Sequence, residues 1–153
     1  MSVESVRELF RNAGMEDRLC CSEIISDTVE NAAAMIGCLP AQIAKTMSFL
    51  VDEKAILIVS SGTAKIDNAK YKAAFHTKAK MIPADRLEEL TGHLPGGVSP
   101  FACKSDVKVY LDQSLKQFDV VYAGAGDEHN TVEVTIPILE KLSGYTAWVD
   151  VCK

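Results

Sequence analysis

Lys45 is the residue of this 153-residue chain whose setting most demands a chemical explanation. Between residues 43 and 51 the pattern alternates, so Ile43, Lys45, Met47, Phe49 and Val51 fall on one face of a strand. Four apolar neighbours turn that face into a core or a pocket wall. An ammonium there is costly unless it is paired, neutralised or open to a cavity. Either the amine binds a carbonyl or a phosphate, or the stem is buried and the amine reaches out to water.

Two glycine-rich segments could complete a site around it. The run Gly92-His93-Leu94-Pro95-Gly96-Gly97-Val98-Ser99-Pro100-Phe101 has three glycines and two prolines in ten residues. It cannot be a helix or a regular strand. Its backbone can approach a ligand closely and offer N–H groups at Gly96, Gly97 and Val98, with Ser99 adding a hydroxyl before Pro100. Ala123-Gly124-Ala125-Gly126, followed by Asp127, Glu128, His129 and Asn130, could form a second wall, with His129 as an acid or base. The plainer readings are a tight connection for the first segment and a polar hairpin loop for the second.

Conventional catalytic sets are hard to assemble. Cys20, Cys21, Cys38, Cys103 and Cys152 show no zinc-ligand spacing, and HxxxH, HExxH and GxSxG are absent. No strand leads into GxGxxG or GxxxxGK[ST], so no nucleotide cofactor and no metal is expected. Chemistry on this chain would rely on positioning, backbone donors and one cation.

The elements that must hold these residues are legible in outline. Val3, Val6, Leu9 and Phe10 share one face of a helix opened by Ser2 and stopped at Gly14. Asp27 and Glu30 have capping-box spacing and open a second helix with Val29, Ala32, Ala33 and Ile36 on its apolar face. The strand 43–51, a turn at 52–54 and the apolar run 55–59 predict an antiparallel hairpin at the centre of a sheet. Further helices are expected at 67–75, 83–90 and 136–142, and strands at 107–111, 120–123, 132–134 and 147–151. This order predicts one domain of α/β or α+β class with a mixed sheet.

Composition supports that outline: 48% hydrophobic and 24% charged residues suit one globular core. No apolar run is long enough for a membrane span, and the odd cysteine count without CxxC predicts a reducing cytoplasm. The net charge of −5 argues against nucleic acid until its distribution is considered. Lys65, Lys70, Lys72, Lys78 and Lys80 stand against one acid, Asp67, a local balance of +4 that leaves −9 elsewhere. Such a segment either guides a polyanion or is the solvated side of a helix.

Together these features resemble the YbaK/EbsC family, related to the editing domain inserted in bacterial prolyl-tRNA synthetases. Gln42-Ile43-Ala44-Lys45-Thr46, the stretches 91–92 and 96–101, Val109-Tyr110-Leu111-Asp112-Gln113-Ser114-Leu115 and the 123–126 strand end occur in the family order. The resemblance covers residues 28–150 of a single 1–153 domain, with 1–27 as an N-terminal helix and connection. It implies an α/β fold in which a mixed, mostly antiparallel sheet forms a partial barrel surrounded by helices. It also implies a trans-editing hydrolase, an aminoacyl-tRNA deacylase that cleaves the ester at the 3′-terminal ribose. Cys-tRNA(Pro), Ala-tRNA(Pro) or a similar small amino acid would be the substrate; a non-catalytic aminoacyl-tRNA or synthetase-binding module is the alternative.

By that resemblance Lys45 is the catalytic residue. Thr46, Gly96, Gly97, Val98, Ser99, Pro100, Gly124, Gly126 and His129 are then expected to line the substrate site; the five lysines, by their local charge, could lie beside it and contact the tRNA acceptor end. Prolyl-tRNA synthetase is a candidate partner. The chain departs from the cysteinyl-tRNA(Pro) deacylase pattern at 127–130. It departs from the alanine-specific one at Thr46, where an Asn is frequent.

Overall fold

In the computed structural model, which describes residues 2–21, 28–95, 98–127 and 129–153, the chain forms five α-helices and seven strands. In order these are α1 (Ser2–Asn12), β1 (Leu19–Cys21), α2 (Val29–Ile36), β2 (Ile43–Val51), β3 (Lys54–Ser61), α3 (Asn68–Phe75), α4 (Leu87–Thr91), β4 (Lys108–Asp112), β5 (Val120–Gly124), β6 (Asn130–Thr135), α5 (Ile136–Ser143) and β7 (Ala147–Val149). The strands make one open mixed sheet in the order β1-β6-β5-β2-β3-β4-β7. Its longest ladder is the antiparallel β2–β3 hairpin, paired from Ala44↔Ser61 to Val51↔Lys54. Parallel pairs join β2 to β5, β3 to β4 and β4 to β7.

Local chemistry explains these elements. Asp52 and Glu53 both take positive φ (52° and 65°), as a two-residue hairpin loop matching the strand twist requires. Thr28 caps α2 by accepting from the Asn31 N–H at 3.0 Å. That cap replaces the expected Asp27–Glu30 box, of which Asp27 lies outside the described residues. The Asp67 carboxylate caps α3 through the Lys70 N–H at 3.1 Å, and Thr135 caps α5 through the Ile138 N–H.

Three elements differ from expectation. Residues 83–90 divide into a 3-10 turn (Ala84–Arg86) and the short α4, because Pro83 is extended and holds the Arg86 N–H at 2.9 Å. Strand β1 gives too short an apolar run to be read, and exists because β6 has an edge for it at Leu19↔Val132. β7 stops at Val149 instead of 151. Beyond it the Val151 N–H bonds to Asp112 Oδ1 (2.9 Å), and its carbonyl accepts from the Asp67 N–H (2.8 Å) in an isolated antiparallel bridge between Ile66 and Cys152.

Both faces of the sheet are covered. On one, Leu57, Val59, Leu111, Val121 and Val132 pack with Val6 and Phe10 of α1 and with Phe101. On the other, Phe49, Ile56 and Ile58 pack with Tyr71 of α3 and with Val151 and Cys152. The described helices include none long and apolar enough to cross a membrane.

Gly62, just past β3, locks the hairpin to the turn preceding β2. A Cβ there would overlap the Pro40 carbonyl oxygen and lie 2.6 Å from Val29 Cγ1 and 3.1 Å from the Ile43 carbonyl. Two of these obstacles are backbone. We expect Gly62→Ala to cost ~1–3 kcal/mol by strain; a urea midpoint equal to the parent's would show that the turn yields freely.

Candidate functional site

The site forms where the β2–β5 ladder stops. These parallel strands pair at Ile43↔Tyr122 and Ala44↔Ala123 and no further. Beyond that point Lys45 and Thr46 have β3 on one side and a crevice on the other. The crevice therefore lies at the carboxyl end of β5 and beside the amino-terminal part of β2. It has a cavity volume of about 230 Å³. Val29 and Ala32 of α2, Ile43 and Tyr122 form an apolar wall; Lys45, Thr46, Asp127 and Thr131 bring polar groups; Val98 and Gly124 close one side.

Lys45 lies at a seam in the packing. Its strand neighbour Ile43 packs against Ala32 and Ala33 of α2, whereas Phe49 belongs to the cluster around Tyr71 and Cys152. The stem is half-buried, and Nζ donates to the Ala64 carbonyl. An ammonium has three donors, so others remain to meet a ligand. Burial lowers the Lys45 pKa below the ordinary lysine value. Cys152 and Glu30 act in the opposite sense and Lys65 in the same sense. Cys152 counts only once ionised, and burial together with Asp112 pushes that thiol up to about 11. At neutral pH Lys45 therefore faces a neutral thiol.

The two glycine segments take different parts. The Val98 carbonyl stands 3.2 Å from where a Gly124 Cβ would be, so a side chain at 124 would have to push the Val98 segment back by a few tenths of an ångström. Past Gly126 (φ 109°), Asp127 Oδ1 accepts from the His129 N–H and from Asn130 Nδ2, both at 2.8 Å. The turn returns the chain into β6. Val98 and Gly124 line the cavity with Lys45 and Thr46, whereas Gly126 lines a second cavity with Arg7 and Leu94. Ser99 and Pro100 are buried, and the Ser99 hydroxyl accepts from the Phe101 N–H at 3.1 Å. Ser99, Pro100 and His129 line neither cavity among the described residues. Gly96 and Gly97 lie outside the described residues.

His93 braces that loop. It is fully buried, with Nε2 at 2.9 Å from the Phe101 carbonyl. That contact makes Nε2 the protonated nitrogen, and burial holds the imidazole below its ordinary pKa. The α3 part of the basic segment lies over the sheet face that carries Lys45, through Tyr71, whereas Lys80 runs beside β2, its carbonyl accepting from the Leu50 N–H at 2.8 Å. Lys65 is near enough to Lys45 to oppose its charge, and Lys70 Nζ bonds to Asp150 (3.1 Å) and to the Cys152 carbonyl (3.0 Å). Lys72, Lys78 and Lys80 are exposed.

Thr28, Val29, Ala32, Ile43, Tyr122, Asp127 and Thr131 line the cavity without having been singled out in the sequence. In sequence the apolar ones read as core, and Thr131 as a strand former. Only Asp127, beside a glycine pair at a strand end, carried a usable signal.

Comparison with known proteins points the same way. A family profile described as an aminoacyl-tRNA editing domain matches residues 26–142. Uncharacterized protein YwhH of Bacillus subtilis (strain 168) is 42% identical, over 100% of this chain and 98% of its own length. Proline–tRNA ligase of Bacillus licheniformis is 26% identical over 64% of this chain; the match spans 17% of that enzyme. Among solved structures, one described as a proposed trans-editing enzyme for prolyl tRNA synthetase superposes with a TM-score of 0.87. It shares 24% identity, over 99% of this chain and 97% of that one. Hypothetical protein APE2540 superposes with a TM-score of 0.85 at 27% identity, over 97% of this chain and 99% of its own.

Proposed function

The chain belongs to the aminoacyl-tRNA editing domain family and is an aminoacyl-tRNA deacylase, and from that premise we propose that it edits in trans, hydrolysing a small amino acid from the 3′-terminal ribose of mischarged tRNA. The observation that carries this reading is the half-buried Lys45 ammonium at the wall of a small crevice. Lys45 anchors the aminoacyl carbonyl or the terminal phosphate, and its charge stabilises the oxygen that becomes negative as the ester is attacked. Gly124, which lines the same cavity, lets that end of the substrate come close to the backbone.

Water is the nucleophile in this reading. The buried thiols stay protonated at neutral pH: Cys152 is pushed up to about 11, and Cys103, by burial, to about 12. The tRNA's own 2′-hydroxyl positions the water, so catalysis comes from holding the ester, the water and one cation together. The cavity volume fits a small acyl group such as cysteinyl, alanyl or seryl. One methylene in an apolar pocket is worth ~1–3 kcal/mol, so a larger residue would be rejected by size.

The acceptor end is single-stranded and needs only a local cation patch. Lys65, Lys72, Lys78 and Lys80 supply it, with Lys70 holding the C-terminal segment beside them. The reading places the protein in the cytoplasm with its tRNA, and prolyl-tRNA synthetase as a partner that delivers it. Release of labelled amino acid from mischarged tRNA is the test. Turnover supports the deacylase reading; tight binding with no release would favour a non-catalytic module. Neutralising Lys65, Lys72, Lys78 and Lys80 together should weaken tRNA binding and flatten its salt dependence; an unchanged salt slope would remove the patch from the interface.

A further inference from the structure

An aminoacyl ester brings two charges to an editing site: the α-ammonium it carries, and the negative oxygen that forms as its carbonyl is attacked. The crevice has a group of opposite sign for each. Lys45 lines it from β2, and Asp127, in the turn after β5, is the one carboxylate among its described lining residues. β2 and β5 pair as far as Ala44↔Ala123 and then part, so the two groups belong to the segments that diverge there. No ion pair joins them: those formed among the described residues are Arg11–Glu16 and Lys70–Asp150. Cation and anion share one small cavity without neutralising each other.

Each keeps hydrogen-bonding capacity for a ligand. Lys45 Nζ gives one of its three donors to the Ala64 carbonyl. Asp127 is half-buried and is held through one oxygen only: Oδ1 accepts from the His129 N–H and from Asn130 Nδ2, both at 2.8 Å. Oδ2 has no hydrogen-bond partner among the described residues, and it is not among the polar atoms sealed without a partner in the interior. A carboxylate oxygen so placed can take a charge-assisted hydrogen bond from an ammonium, about twice as strong as a neutral one. In an aminoacyl ester the α-nitrogen and the carbonyl oxygen sit on adjacent carbons. One small acyl group can therefore meet the anion with its amine and the cation with its carbonyl.

We propose that Asp127 receives the α-ammonium of the aminoacyl ester while Lys45 holds its carbonyl oxygen, so that a free α-amine is a condition for hydrolysis. This rests on the deacylase reading above and deepens it. An ester whose α-nitrogen is acylated, as in a growing peptide on its tRNA, carries no charge there and leaves Asp127 facing a neutral amide. A site built to hydrogen-bond a substrate group rejects the analogue lacking it far better than a size filter does, because the site's own polar group is stranded. A wrong amino acid is then removed while peptidyl esters are spared.

The test uses esters of equal size that differ only at the α position: alanyl- against lactyl-tRNA, and seryl- against glyceryl-tRNA, with a hydroxyl in place of the ammonium. Each single-turnover rate is divided by the spontaneous rate of the same ester. The parent is expected to favour the amino esters at least ~10²-fold. Asp127→Asn keeps an oxygen for the His129 and Asn130 donors and loses the charge. It should slow the amino esters at least ~10-fold and leave the hydroxy esters near their parental rates. A parent that cleaves both members of a pair alike, a comparison that needs no variant, would overturn the proposal; so would an Asp127→Asn protein that slows both alike. Binding of amide-linked alanyl and lactyl adenosine separates it from the underlying reading. Alanyl-selective binding that Asp127→Asn abolishes, with no ester hydrolysed, would sink the deacylase reading and uphold the role of Asp127. Hydrolysis of amino and hydroxy esters alike, with equal binding of both amides, would sink the role of Asp127 alone.

Discussion

Alanine at position 45 should lower single-turnover deacylation by ~10²–10³-fold and leave the fold intact, the effect expected on removing one electrostatic contact that strengthens in the transition state. The fold survives because Lys45 lies at a seam between two apolar clusters, and its amine makes a hydrogen bond to Ala64 worth only ~1 kcal/mol net. Circular dichroism and a urea midpoint close to the parent's check that half of the statement. A parental rate in a folded Lys45→Ala protein would refute the mechanism.

The same residue predicts a pH profile. Burial lowers the Lys45 pKa below 10.5. The cationic form, which in the proposed mechanism holds the substrate oxygen, is lost as pH rises through that lowered value. After correction for spontaneous ester hydrolysis, kcat/KM should fall on the alkaline side before an ordinary lysine would titrate. In Lys45→Ala that alkaline limb should vanish.

Phe101→Ala should destabilise the protein by ~3–5 kcal/mol, the range for deleting a fully buried aromatic ring. Its ring is completely buried and meets Phe10 edge-on at 5.0 Å, tying α1 to the main core. Its backbone is as important. The carbonyl accepts from His93, and the N–H donates to Ser99, so this one residue seats both ends of the loop that brings Val98 to the cavity. The loss of stability should therefore bring a loss of deacylation that cooling does not fully restore. Denaturant titration reads the first effect and single-turnover kinetics at low temperature the second; a shift below ~1 kcal/mol would mean that the ring's place is refilled by its neighbours.

Lys45 shows how far the residue pattern reaches. Alternation over residues 43–51 placed a cation on an apolar strand face, because a strand's period of two makes the face of every side chain readable. The apolar run 55–59 and the turn between them specified the hairpin for the same reason. Glycine and proline density marked 92–101 as a loop, since those residues restrict what the backbone can do there. Family resemblance then linked these pieces to an editing chemistry that composition alone would have discouraged.

What remained hidden depends on partners distant in sequence. The crevice exists because β2 and β5, some 80 residues apart, pair for two residues and then stop. No local pattern encodes where a parallel ladder ends. Thr131 looks like any β-branched strand residue until Gly124 is found opposite it. Cys152 is near the C-terminus, yet Asp112 holds the chain beside it through Val151, close enough for the thiol to influence Lys45. The sequence by itself determined which groups could do chemistry and which elements carry them, because periodicity and backbone restriction are local. Only the tertiary structure decided which hydroxyls, thiols and carbonyls surround the lysine, because burial and electrostatics act through space.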